Sequence, residues 1–155
     1  YYRFVEVLNV VNTTLAKQMA GDGEGATKLL EVKVVNAVSK TEAVNLSKSV
    51  ATSSLVKTAV YGNDANWGRI LCALGYAGVD FNPEKVDLYI ESVDGKIKLA
   101  EDGIEADYSE EYATKILSGK EVCVIIDMKM GEAMATAWGC DLTYDYIKIN
   151  ADYRS

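Results

Sequence analysis

Val122-Cys123-Val124-Ile125-Ile126 is an unbroken apolar run. A strand with one wet face alternates apolar and polar residues, whereas one that is apolar throughout is covered on both faces. The run is therefore expected to be a central strand, with Ala133 to Trp138 returning as its antiparallel neighbour. Upstream, Leu30, Val32, Val34 and Val38 alternate with Glu31, Lys33 and Val35, the pattern of a strand with one buried face. Val56 to Tyr61 reads as a further short strand. Val86, Leu88 and Ile90 alternate again, and Asp94-Gly95 makes a two-residue hairpin turn into Lys96 to Ala100.

Helical signals lie between these strands. Phe4, Leu8, Val11, Leu15 and Met19 recur at helical spacing, so an amphipathic helix is expected over about residues 4 to 20, ended by Gly21. Thr41 is placed to cap a second helix running to about Ser54, with Val44, Ser47, Val50 and Ala51 on one side. Asp64 or Asn66 caps a third, which buries Trp67, Ile70, Leu71 and Leu74. Asp107 and Glu110 have capping-box spacing before a helix that closes at Gly119, and Thr143 caps a last one. With no internal repeat and no linker, residues 1–155 read as a single α/β domain, a mixed α+β sheet layered with helices.

Composition narrows the function. Of 155 residues, 49% are apolar and 25% charged, the balance of a soluble globular protein with a real core. The net charge of −7 comes without any basic patch, which argues against a nucleic-acid or anionic-membrane surface and is compatible with ammonium-bearing substrates. No apolar run is long enough to cross a bilayer, and nothing resembles a signal peptide. There is no histidine. That removes the commonest general base, the Ser-His and Cys-His nucleophile pairs and most zinc sites. The three cysteines, Cys72, Cys123 and Cys140, lack paired spacing and read as reduced, buried thiols of a cytosolic protein. The start at Tyr1-Tyr2-Arg3-Phe4, without methionine, reads as that of a fragment or processed product.

Three stretches are dense in unusual residues. Gly21-Asp22-Gly23-Glu24-Gly25-Ala26-Thr27-Lys28 is neither a P-loop nor a dinucleotide fingerprint, because it follows a helix and precedes a strand. It also lacks the spaced ligands of a calcium loop. It is either a plain connection or a site in which Glu24, between two glycines, pairs with a substrate ammonium or moves a proton. In Gly62-Asn63-Asp64-Ala65-Asn66-Trp67-Gly68-Arg69, Asn66 and Trp67 read as cap and core. Arg69, on a mostly apolar helix, calls for a carboxylate partner and either supports the fold or touches substrate; Lys57 is open to the same two readings. The third stretch runs from Trp138 to the end. A carboxyl terminus that keeps its pattern is docked, and Asn150, Arg154 and Ser155 then suit holding an amino-acid carboxylate. Serines and threonines are many, but none has a recognisable paired base.

In this order, the three stretches resemble the ornithine acetyltransferase family, the glutamate N-acetyltransferases of the cyclic arginine pathway, and the resemblance covers nearly the whole chain. It implies an αββα-like layered fold shared with β-peptidyl aminopeptidases. It implies a precursor that cleaves itself before a threonine, whose hydroxyl then carries acetyl from N-acetylornithine to glutamate with its own amine as base. It implies a heterotetramer of two α and two β chains and no bound cofactor, with acetyl-coenzyme A an alternative donor in some members. Tyr1 lacks the family's threonine surroundings, so the chain corresponds to the C-terminal part of the β chain. Its catalytic nucleophile then lies upstream of Tyr1, and Thr13, Thr14 and Thr27 are not that residue. Residue by residue, Glu24 matches the family's substrate-binding glutamate, and Asn150 and Ser155 its C-terminal asparagine and hydroxyl residue. An inactive structural or assembly fragment, and an N-terminal-nucleophile aminopeptidase or amidohydrolase of the same fold, remain as alternatives.

Overall fold

The computed structural model describes residues 1–153. The elements in chain order are α1 (Tyr2–Gly21), β1 (Leu29–Ala37), α2 (Lys40–Thr52), α3 (Ser54–Tyr61), α4 (Trp67–Gly75), β2 (Asp87–Ser92), β3 (Gly95–Glu101), β4 (Ile104–Glu105), α5 (Glu110–Leu117), β5 (Glu121–Asp127), β6 (Ala133–Cys140) and α6 (Tyr144–Asp152). The strands form one six-stranded mixed sheet in the order β4-β3-β2-β5-β1-β6. Only β1 and β5 run parallel; the other neighbours are antiparallel. The expected α/β class with a mixed sheet and helical layers is what forms.

The apolar run 122–126 does lie inside the sheet, between β2 and β1. Its expected antiparallel partner, β6, pairs with β1 instead. The connection from β5 crosses the end of β1, where Met128, Met130 and Gly131 donate their amides to Val35 and Asn36, and Asn36 adopts a left-handed φ of 55°. Parallel β1 thus takes the place that chain proximity suggested for β6.

One face of the sheet carries the core. Leu30, Val32, Val34, Leu88, Ile90, Leu99, Val122, Val124 and Ile126 are buried there with Ala43, Leu46 and Val50 of α2 and Ala113, Ile116 and Leu117 of α5. Gly139 allows α2 to sit close, since a Cβ there would stand 3.1 Å from the Ala51 carbonyl oxygen. The opposite face is only half-covered: Glu31, Lys33, Tyr89, Cys123 and Ile125 are partly exposed, so β5 is not buried on both sides as expected.

The first helix forms where its periodicity placed it, over Tyr2–Gly21, but its large apolar residues are not the ones that pack. It rests against β1 and β6 through its small or flexible residues, Thr13, Ala16, Lys17 and Ala20, and Lys17 pairs with Glu31 at 2.7 Å. The face of Phe4, Leu8, Val11, Leu15 and Met19 points outward, with Phe4 68% and Met19 79% exposed. Small side chains let the helix lie close to the sheet and leave the large ones outside.

Val56 to Tyr61 is helix rather than strand. Val56, Ala59 and Val60 are buried at helical spacing, and the Ser53 hydroxyl accepts the Val56 amide to start the turn. Two caps also differ. Ser39, not Thr41, caps α2, and Ser109, not Asp107, caps α5. Cys72 is exposed, because α4 buries Ile70, Ala73 and Leu74 and so turns position 72 outward. Among the described residues, no helix is long and apolar enough to cross a membrane.

Candidate functional site

The antiparallel register of β1 and β6 sets Leu29 opposite Cys140. The chain just before β1 and the chain just after β6 therefore leave the sheet at one corner. These are the glycine-rich loop and the start of the tail.

Their contact runs along several residues. The Thr143 hydroxyl donates to the Gly25 carbonyl at 2.7 Å and accepts the Tyr146 amide, capping α6 as expected. Gly25, at φ 69°, passes so near the first turn of α6 that an added Cβ would lie 2.8 Å from the Tyr146 nitrogen. At Gly23 it would stand about as close to the Cys140 sulfur. Asp141, 2% exposed, accepts the Thr27 amide at 2.8 Å, the Lys28 amide at 3.1 Å and the Thr27 hydroxyl. The two backbone amides share Oδ1 and the Thr27 hydroxyl takes Oδ2, so both carboxylate oxygens of Asp141 hold the loop to the tail.

Lys28 brings in the middle stretch. Its ammonium donates to the carbonyls of Val60 at 2.7 Å and Leu117 at 2.8 Å, and to the Asn63 side chain. Burial holds its pKa below the ordinary lysine value, against the pull of Asp141. Thus Lys28, Asn63 and Asp141, one from each dense stretch, meet at the same corner. Neither the composition nor the local pattern marked them, since their separations of 35 and 113 residues carry no periodic signal.

Of the residues singled out from the sequence, two meet. The Asn150 amide donates to a Glu24 carboxylate oxygen at 2.8 Å and to the Tyr146 carbonyl at 2.8 Å. Both side chains are exposed, and among the described residues only Asn150 donates to the Glu24 carboxylate, at one of its two oxygens. Asn150 lies within α6; Ser155 and Arg154 lie outside the described residues. Among the described residues, Arg69 finds no carboxylate. Its guanidinium donates to the Leu55 carbonyl at 3.0 Å and the Thr58 hydroxyl at 3.3 Å, tying α4 to α3. The Lys57 carbonyl accepts the Leu142 amide at 3.2 Å, so the backbone of Lys57, not its charge, meets the tail.

A cavity of about 470 Å³ opens beside the loop, lined by Lys17, Asp22, Thr27, Lys28, Lys120 and Glu121 among others, and another of about 300 Å³ lies between α3 and α6 around Thr58, Tyr61, Leu142 and Ile147. Glu24 and Asn150 border neither and present their polar atoms to open surface. Cys123 has its pKa pushed up to about 11, first by burial and then by Glu31 and Glu91, so it stays a thiol at neutral pH. The described residues hold no cluster of three or more His, Cys, Asp or Glu suited to a metal ion.

Comparison with known proteins places the chain in a family. The ArgJ family model matches residues 1–155. The arginine biosynthesis bifunctional protein ArgJ of Caldanaerobacter subterraneus is 53% identical over 98% of this chain, and its namesake in Thermotoga neapolitana 48% over 100%. The chain spans 38% and 39% of the length of those two relatives. The crystal structure of the Bacillus halodurans arginine biosynthesis bifunctional protein superposes with a TM-score of 0.92 at 44% identity, over 98% of this chain and 70% of the other. By sequence over its full length and by fold, the chain belongs to the ArgJ family.

Proposed function

We propose that this chain is the substrate-binding C-terminal part of an ornithine acetyltransferase β chain. The supporting observation is the Glu24–Asn150 pair, an open carboxylate steadied by an amide at the meeting of two motifs 126 residues apart. Glu24 receives the ammonium of ornithine or of the incoming glutamate, and Asn150, with Ser155, positions the polar end of the amino acid. The nucleophile is a threonine on the same precursor, outside these 155 residues. Its hydroxyl attacks the acetyl carbonyl of N-acetylornithine, the amide C–N bond breaks, and ornithine leaves with the proton. The glutamate amine then attacks the threonyl ester, which gives N-acetylglutamate and restores the hydroxyl. Acetyl-coenzyme A is an alternative donor, no resident cofactor is needed, and the setting is the cytoplasm.

On this reading the α chain of the precursor, and the rest of the β chain, cover the outward face of α1, and two such α/β pairs assemble into a heterotetramer. That exposed face also favours a second reading of the isolated chain, as an assembly module without turnover of its own. Kinetics of the full-length enzyme decide the first reading. Glu24→Ala is expected to lower acetyl transfer from N-acetylornithine to glutamate about tenfold or more, the loss typical of one charge-assisted hydrogen bond to substrate. Wild-type kinetics in that variant would remove Glu24 from the site. Turnover by residues 1–155 alone would overturn the second reading.

A further inference from the structure

We propose that Asp141 is the positioning residue of this site, whose buried carboxylate sets the glycine-rich loop, and with it Glu24, at hydrogen-bond distance from Asn150. Glu24 and Asn150 are both exposed, and α6 buries no side chain, so packing alone does not fix their separation. A polar clasp does. Asp141 accepts the amides of Thr27 and Lys28 and the Thr27 hydroxyl, while its own amide donates to the Lys28 carbonyl at 3.2 Å. Loop and tail are thereby bound in both directions at one residue. Two residues further on, Thr143 grips the Gly25 carbonyl, next to Glu24, and starts the helix that carries Asn150. Asp141 therefore links the loop that carries Glu24 to the tail that carries Asn150. It acts on substrate only through them.

The chemistry of the clasp calls for a carboxylate or its amide isostere. An alanine would strand two part-buried backbone N–H groups, which are costly to leave unpaired. An asparagine would keep one oxygen for both amides and turn its NH2 toward the Thr27 hydroxyl, which would then accept.

The test uses the full-length enzyme containing this chain. Two readouts are taken on Asp141→Ala and Asp141→Asn: deuterium exchange of the peptides covering residues 21–28 and 144–152, and KM and kcat for N-acetylornithine and glutamate. In Asp141→Ala, exchange is expected to rise in those two peptides and not in β5. KM is expected to rise about tenfold, with kcat at saturating substrate changed much less. Asp141→Asn is expected to restore most of both. Exchange unchanged at the corner, or a loss equal in both variants and spread through the core, would overturn the proposal. So would loosened exchange with unchanged KM in an enzyme that Glu24→Ala does impair. Should Asp141→Ala fail to fold, Thr27→Val removes only the hydroxyl contact and is expected to give the same pattern in milder form; unchanged exchange and KM there would count against the clasp. The kinetic arm rests on Glu24 meeting substrate. If Glu24→Ala is kinetically silent, that reading alone fails, and exchange still decides whether Asp141 sets the corner.

Discussion

Lys28 gives its three ammonium hydrogens to the ends of two helices, at Val60 and Leu117, and to Asn63 in the turn after α3. Replacing it with methionine keeps the stem but leaves those partly buried acceptors unpaired. Stability is expected to fall by about 1–3 kcal/mol, read as a lower denaturant midpoint at unchanged m-value. Asp87 makes the same kind of claim in the opposite sense. It is 4% exposed and touches Lys129 at 2.6 Å, Lys98 at 3.2 Å and the Asp102 amide at 2.9 Å. Burial pushes its pKa up, but the bonds to Lys129, Asp102 and Lys98 outweigh this and hold it below the ordinary aspartate value. A carboxyl depressed in the folded state stabilises above its unfolded pKa and loses that contribution as the pH falls through the folded one. Acid unfolding below about pH 4 is therefore expected to be shallower in Asp87→Asn, as followed by circular dichroism against pH. Glu24 and Asn150 could be singled out as candidates because their motifs are distinctive. Asp141 and Lys28 were not, because their meaning lies in partners far along the chain.

At the scale of elements, most of the strands could be read from their period, and the errors have local causes. Val56, Thr58 and Val60 alternate like a strand, yet Val56, Ala59 and Val60 also share one helical face, and the Ser53 cap together with packing selects the helix. For α2 and α5, the serine whose hydroxyl actually receives an N–H displaced a nearby residue that can also cap, Thr41 and Asp107 respectively. Ser39→Ala is accordingly expected to cost about 1 kcal/mol, measured by thermal unfolding. The last helix depends on the loop more than on the core. Gly25→Ala would place a methyl against the Tyr146 nitrogen at a backbone angle that favours glycine. It is expected to detach α6, so that its amides exchange faster while those of β1 and β5 stay protected.

The whole molecule shows two unlike surfaces on the sheet, one closed over a core and one partly bare, with an apolar helix face turned outward beside it. Substituting glutamine at Leu8, Val11 and Leu15 is expected to leave the melting temperature of residues 1–155 nearly unchanged, because these side chains are not buried. It should also reduce self-association in sedimentation velocity. The sequence by itself determined the α/β class, the cap at Thr143, the family and a hairpin near Asp94, because these reside in short-range period, turn chemistry and distinctive motifs. Ser92 pairs with Gly95, so the turn of that hairpin is Val93-Asp94 rather than Asp94-Gly95. Only the tertiary structure decided that β1 separates β5 from β6, that α1 turns its large residues outward and that Glu24 meets Asn150. Those outcomes depend on strand order and on which surfaces find partners, and contacts made 100 or more residues apart leave no periodic trace in the chain.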